Sequence, residues 1–454
     1  MQKNIYSKNL LIVLSVIIVL TGILVWACKN PNGPGVDWNL RNWYIMSPQN
    51  EGPGYTGEIS YNSNGAITNI INPQNWLGND KRLFTNQGST HYRIPAIITW
   101  TNGDILAFAD KRQGGSGDLP NKIEVMVKIS TNNGTNWDNE KRITPVSTST
   151  KDGHGDTGVV LDKKTGDILA VVAFGQGFLY STPNDPIRIR VIRSKDGGKT
   201  WSTPTDITSQ IYGAGCSDFT RRNWYAAFST SGNGLQLRNG RIMFVINVRE
   251  TAATTAASFR NYIMYSDDGG YKWKVSRGSP KNPQGGNEAK VVELNEDGHL
   301  LMNIRPNGPQ WNRLLARSYD YGETWTEAKV QADLPSAGSN GDMIYYTSTK
   351  NGYDRNRIIT LVDSKGSYKS KGIGPGPGVP VFYVSYDEGN TWQKKQTLYT
   401  ENAGYSSMTI LKDGSIGILA ELTRPWNGPI WFLRASVEWC DGTCAPSLKT
   451  AKSK

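Results

Sequence analysis

The chain has 454 residues, 37% hydrophobic and 20% charged, enough for a packed core but longer than an ordinary single domain of roughly 100–200 residues. Its formal charge of +11 comes from Lys and Arg scattered along the sequence. That argues against a nucleic-acid arm and for a small anionic partner. Three histidines, and four cysteines without a CxxC pair, make no case for a zinc site, and no metal or other cofactor is expected.

Residues 1–28 place Lys3 and Lys8 ahead of an apolar run from Leu10 to Val25, followed by Ala27 and Cys28. This is the layout of a bacterial export signal. The small residue before Cys28 resembles a lipoprotein processing site, so an exported, lipid-anchored chain is expected, touching a membrane only through that anchor. The run is also close to spanning length, so a signal anchor or plain secretion is the competing expectation. Residues 29–80 form a Pro/Gly/Asn-rich preamble whose Trp38, Trp43 and Trp76 are expected to pack on the main domain, residues 81–444, with a Lys/Ser tail at 445–454. Cys440 and Cys444 can form a short local bridge, which leaves Cys216 over.

Within the main domain a turn dipeptide leading into a strand recurs as NGDILAFAD (102–110), TGDILAVVAF (165–174), NGRIMFVINV (239–248), DGHLLMNIRP (297–306) and DGSIGILAEL (413–422), with NGYDRNRIITLV (351–362) a looser copy. Asn-Gly and Asp-Gly between strand-like runs signal hairpins, because both turn positions need positive φ. The turn glycines at 103, 166, 240, 298, 352 and 414 are 54 to 74 residues apart. Six hairpins at that period predict an all-β, six-bladed β-propeller rather than a long sandwich.

A second repeat, Ser-x-Asp-x-Gly-x-Thr-Trp, follows in five units, at 130–137, 194–201, 266–273, 318–325 and 385–392, with Asn132 at the Asp position of the first and Lys272 at the Thr position of the third. Asp can bond the turn backbone, Gly can supply positive φ and Trp can fill space between strands. These boxes are expected to be structural.

Repeat phase exposes the chemistry. Ten residues before the turn glycines stand Arg93, Asp156, Thr230, Glu288 and Asp342, and nine before the sixth stands Tyr405. Matching phase predicts a polar ring at one mouth of the central channel, the bland alternative being ion pairs between blades. Arg112, Asp118 in a Gly-rich loop, and Arg305 at a strand end can join it. Several guanidiniums facing one point suit a carboxylate, sulfate or phosphate. A carboxylate beside a loop suits a general acid, and a tyrosine paired with a glutamate suits a nucleophile.

YRIP at 92–95 together with the five boxes makes residues 80–440 resemble the exo-α-sialidases (neuraminidases) of the bacterial and animal six-bladed propeller type. The resemblance implies that Arg93 and Arg305 grip the sialic acid carboxylate, Asp118 is the acid/base and Tyr405 the nucleophile polarised by Glu288. Arg112 would lie near the sugar's 4-hydroxyl side and Asp156 near the N-acetyl pocket. It implies a monomer acting on sialylated glycoproteins, glycolipids or oligosaccharides, by hydrolysis with retention. A sialoglycan-binding propeller without turnover, or a trans-sialidase, is the alternative. One departure stands out: no arginine occurs from Ile358 to Thr423, where the family places the third member of an arginine triad. Lys369, Lys371, Arg355, Arg357 or Arg424 are the candidates to replace it, with a lysine able to supply the charge but not the bidentate fork.

Overall fold

The turn glycines 103, 166, 240, 298 and 414 each close the first hairpin of a separate sheet, the described residues form six sheets, and Gly352 lies outside the described residues. The computed structural model describes residues 82–441 apart from 283, 308–310, 352, 354, 365–377, 402 and 423–427. The expected signal segment, the preamble, the tail and Cys444 lie outside the described residues, as do Lys369, Lys371 and Arg424.

Blade I runs outward from Thr90–Thr99 through Ile105–Gln113 and Ile123–Ser130 to Lys141–Arg142. Blade II begins at His154–Leu161 and Ile168–Phe174, and blade IV at Gly286–Glu293 and Leu300–Pro306. Blade V begins at Asp342–Thr347 and Arg357–Ser364, and blade VI at Ala403–Ile410 and Ile416–Leu422. The outermost strand of blade VI is Arg82–Phe84, from the other end of the described chain, paired to Ile430–Ala435. The ring is thus closed by joining its two ends within one sheet.

Blade III breaks the pattern. Its inner edge is split between Ala226–Ser229 and Leu235–Gln236, while the intervening Gly232–Asn233 pairs in parallel with the inner strand of blade II. The 74-residue step from Gly166 to Gly240, the longest in the series, is the sequence trace of this irregularity.

Apolar side chains collect between neighbouring blades. Ala96, Ile98 and Phe108 of blade I meet Val159, Ile168 and Val172 of blade II, and equivalent clusters fill the other junctions. Strands buried on both faces read as near-continuous apolar runs, and the second strands do so here.

The boxes are structural, as expected. In all five the Ser hydroxyl accepts the Gly N–H, and the Asp or Asn carboxyl or amide oxygen accepts a backbone N–H four residues on. Box glycines have positive φ and also lie against the preceding blade: a Cβ at Gly198 would stand 2.3 Å from Leu106, and one at Gly270 2.4 Å from Leu169. Both demands exclude any larger residue.

Candidate active site

The ring predicted from phase forms at four of its six positions, for a reason visible in the strand register. In blades I, II, IV and VI the inner strand sets two residues against one at the same level. Ile94 and Pro95 oppose Ala109, Asp156 and Thr157 oppose Val172, Asn287 and Glu288 oppose Arg305, and Gly404 and Tyr405 oppose Glu421. Such a bulge breaks the in–out alternation and re-aims a side chain. Arg93, Asp156, Glu288 and Tyr405 all line one cavity of about 970 Å³, with Asp118 and Arg305.

Thr230 and Asp342 do not join them. Thr230 sits at the break in blade III and donates to the Ala289 carbonyl of blade IV, while Asp342 accepts the Met408 N–H of blade VI. At these two positions the inter-blade linkage is what the polar residue provides.

At the centre, the Tyr405 hydroxyl donates to Glu288 Oε1, while Arg305 Nη1 donates to Glu288 Oε2 at 2.6 Å and to the Tyr405 oxygen at 2.8 Å. Burial pushes Tyr405 well above the ordinary phenol range, Arg305 and Arg93 pulling down and Glu288 pushing further up. Burial also raises Glu288, but Arg305 and the hydrogen bond from Tyr405 outweigh it, so its carboxyl lies below its ordinary value. The shared proton therefore rests on the phenol.

Arg93 is aimed from behind. Glu421 accepts Arg93 Nε at 3.2 Å and Nη2 at 3.3 Å, and its carboxylate also accepts the N–H groups of Ile94 and Tyr405. Ile94 has φ 57°, a costly conformation for a β-branched residue, held here by that last contact on its own N–H. The Arg93 guanidinium lies 5.1 Å from the Tyr405 ring centroid.

Asp118 projects into the cavity with 72% of its side chain exposed, 2.7 Å from Arg112 Nη1 and 3.9 Å from Arg93 Nη1. Partial enclosure pushes its carboxyl up, yet Arg112 and Arg93 together hold it below the ordinary range. Arg112 itself is fully buried behind Asp118 and also meets Asp110 at 3.2 Å, so its place is beneath the cavity rather than on its wall. Asp156, with φ 53°, is pushed well up by burial and by the neighbouring Asp110 and Asp118.

The opposite wall is apolar. Phe178, Leu179 and Tyr180 line it with Phe228 and Phe259, and this loop is seated on the one carrying Asp118: a Cβ on Gly177 would stand 2.1 Å from the Leu119 carbonyl oxygen. Arg249 fixes the loop by donating to the carbonyls of Phe178 and Ser181.

Among the described candidates for the third arginine, Arg355 stacks on Tyr386 and Arg357 donates to Thr347 within blade V. Neither lines the cavity.

Sequence phase missed Glu421 and Asp110, although a signal was present. Asp110, Arg305 and Glu421 each stand seven residues after a turn glycine, at 103, 298 and 414. That offset marks the second strand at the level of the bulge in blades IV and VI and one residue beyond it in blade I.

Fold and site together define a six-bladed propeller whose channel mouth holds a tyrosine–glutamate pair between arginines. Residues 94–372 match the BNR repeat-like domain, and the chain belongs to that family. It is similar to a sialidase of Micromonospora viridifaciens, 30% identical over 79% of this chain and 54% of that protein. It is also similar to a sialidase of Bacteroides fragilis, 28% identical over 76% of this chain and 62% of that protein. Among solved structures, the Hadza microbial sialidase Hz136 superposes with a TM-score of 0.64 at 25% identity, covering 77% of this chain and 66% of that one. The chain thus spans between half and two thirds of the length of these two curated relatives.

Proposed function

We propose that the chain is an exo-α-sialidase that hydrolyses terminal α-linked sialic acids of glycoproteins, glycolipids or oligosaccharides with retention. The observation that carries this is the Tyr405–Glu288 pair, hydrogen-bonded and braced by Arg305. A site that only binds glycans has no use for a buried phenol held against a carboxylate. A carboxylate nucleophile would be repelled by the sugar's own carboxylate, which a neutral phenol avoids, and sialidases are the known tyrosine exception among glycosidases.

In the proposed reaction Arg93 and Arg305 hold the substrate carboxylate. The Tyr405 oxygen attacks the anomeric carbon as its proton passes to Glu288, and Asp118 gives its proton to the departing glycosidic oxygen. Water, losing a proton to Asp118, then displaces Tyr405, which regains its proton from Glu288. In the unliganded site Arg112 and Arg93 favour ionised Asp118. A bound carboxylate occupies Arg93 and adds negative charge nearby, raising Asp118 toward its acid role.

The test is release of a fluorogenic phenol from an α-sialoside by the chain lacking residues 1–28, with the first-formed sugar followed by NMR. Release of the α-anomer is expected. No release between pH 4 and 8 by the unsubstituted chain, or the β-anomer first, contradicts the proposal, and a transferred or anhydro product would instead identify a transferase.

The chain is further proposed to be exported and held to a membrane by lipid on Cys28, the charged-then-apolar start supporting this. Cys28→Ala should then move the protein out of the membrane fraction, and an unchanged distribution would count against it.

A further inference from the structure

Asp110 takes no part in the proposed chemistry, yet it is fully buried one strand behind the site. Its Oδ2 accepts Arg112 Nη2 at 3.2 Å and the Asp156 N–H at 3.2 Å, whereas its Oδ1 has no hydrogen-bond partner among the described residues. Leaving a buried carboxylate oxygen unpaired is costly, so its retention asks for a reason. The neighbouring chain is shaped around it: a Cβ on Gly155 would stand 2.8 Å from Asp110 Oδ2, and the next residue, Asp156, takes a left-handed φ of 53° with its N–H on that oxygen.

The charged groups facing Asp110 are few. Arg112 of its own strand, Asp118 of the following loop and Asp156 of blade II interact with it, and the third strand of the blade brings Ile123 close to the same spot. Its cross-strand partner, Arg93, is turned to Glu421. Arg112 therefore serves two carboxylates at once, Asp110 through Nη2 and Asp118 through Nη1.

We propose that Asp110 is a positioning residue that shares Arg112 with Asp118, weakening that arginine's hold on the acid/base so that Asp118 can carry a proton to the leaving group. The inference rests on the sialidase reading of the site and deepens it. Asp110 and Asp118 each disfavour the other's ionisation, because the two carboxylates compete for one guanidinium. Replacing Asp110 by a neutral isostere leaves all of the Arg112 charge to Asp118. Asp118 then ionises at lower pH and becomes the poorer acid.

The experiment compares the full chain with its Asp110→Asn variant on two substrates: a trisaccharide sialoside, whose sugar leaving group needs protonation, and an aryl sialoside, whose phenol barely does. The expected result is a fall in kcat of about tenfold on the trisaccharide against less than threefold on the aryl substrate, within the range general-acid assistance supplies. The sign of the pH effect follows from the same step: activity that needs protonated Asp118 is lost as pH rises through its pKa, so lowering that pKa moves the alkaline limb to lower pH.

Equal falls on both substrates with an unmoved limb mean a purely structural role and overturn the proposal, as does no change in either. Asp110→Glu, which keeps the charge, should restore the trisaccharide-to-aryl rate ratio, and its failure to do so in a folded variant also overturns it. If the unsubstituted chain releases sugar from neither substrate, it is the sialidase reading itself that fails.

Discussion

A phenol hydrogen-bonded to a buried carboxylate does nothing until something electrophilic arrives. In this protein the proton rests on Tyr405 because burial disfavours a phenolate, while Arg305 touches the phenol oxygen and the other oxygen of the carboxylate that must receive the proton. That arginine is thus placed to stabilise negative charge wherever it develops along the transfer. Arg93 depends in turn on Glu421, which is almost fully buried and shared with two backbone N–H groups. Removing one member of a buried ion pair costs about 3–5 kcal/mol. Glu421→Gln should therefore lower stability by a few kcal/mol in urea unfolding and raise KM more than it lowers kcat. An unchanged KM in the folded variant would show that Arg93 does not hold the substrate.

The residues on inner strands were legible in the sequence because the turn glycine fixes the distance to the bulge: Arg93, Asp156 and Glu288 share one offset and Tyr405 differs by one. Glu421 escaped because it is a single charge in the apolar run of a second strand, and Asp110 because it opens the charged run Asp110–Arg112 with nothing to single it out until the pairing partner is known.

At the scale of elements, the bulge is the device that turns a structural repeat into a site. Four inner strands carry it at one level, and each delivers a side chain to the same cavity. Blade III breaks its inner strand and blade V bulges at the other end, near Tyr345 and Thr347, and their matching polar residues staple blades together instead. Phase alone could not separate these cases, because a bulge leaves no composition of its own.

A second device is the seating of one loop on another, at Gly177 against Leu119. No side chain fits at 2.1 Å from a carbonyl oxygen, so Gly177→Ala must displace the loop bearing Asp118. Reaction geometry tolerates little misplacement, on the order of 1 Å for a hundredfold loss. Activity should fall at least tenfold with a much smaller effect on the melting temperature. Full activity in that variant would mean that the two loops move independently.

The whole molecule is a ring of six sheets with its apolar contacts between blades, so its integrity depends on closure. Among the described residues closure rests on Arg82–Phe84, whose Leu83 and Phe84 are buried in the junction of blades VI and I. Without them Ile430–Ala435 becomes an exposed edge, open to pairing with other chains. A chain beginning at Thr85 should melt several degrees lower and aggregate on heating, as light scattering would report. Equal stability would place the fastening elsewhere.

The ring was readable from sequence because glycine turns and boxes repeat along it. The closing strand was not, since the described Arg82–Phe84 is too short to show a periodicity. The +11 charge found its reading only in part, in the arginines of the cavity.

In the proposed reaction, residues, strands and ring together serve one act, the transfer of a sugar to the Tyr405 oxygen. The most direct measurement uses a 3-fluoro sialosyl fluoride, which slows breakdown of the intermediate more than its formation, followed by acid quench and peptide mass spectrometry. One sialosyl group is expected on the peptide containing Tyr405, absent from Tyr405→Phe. An adduct on Glu288 or elsewhere, or steady turnover of an unfluorinated substrate with no trapped adduct at all, would contradict it.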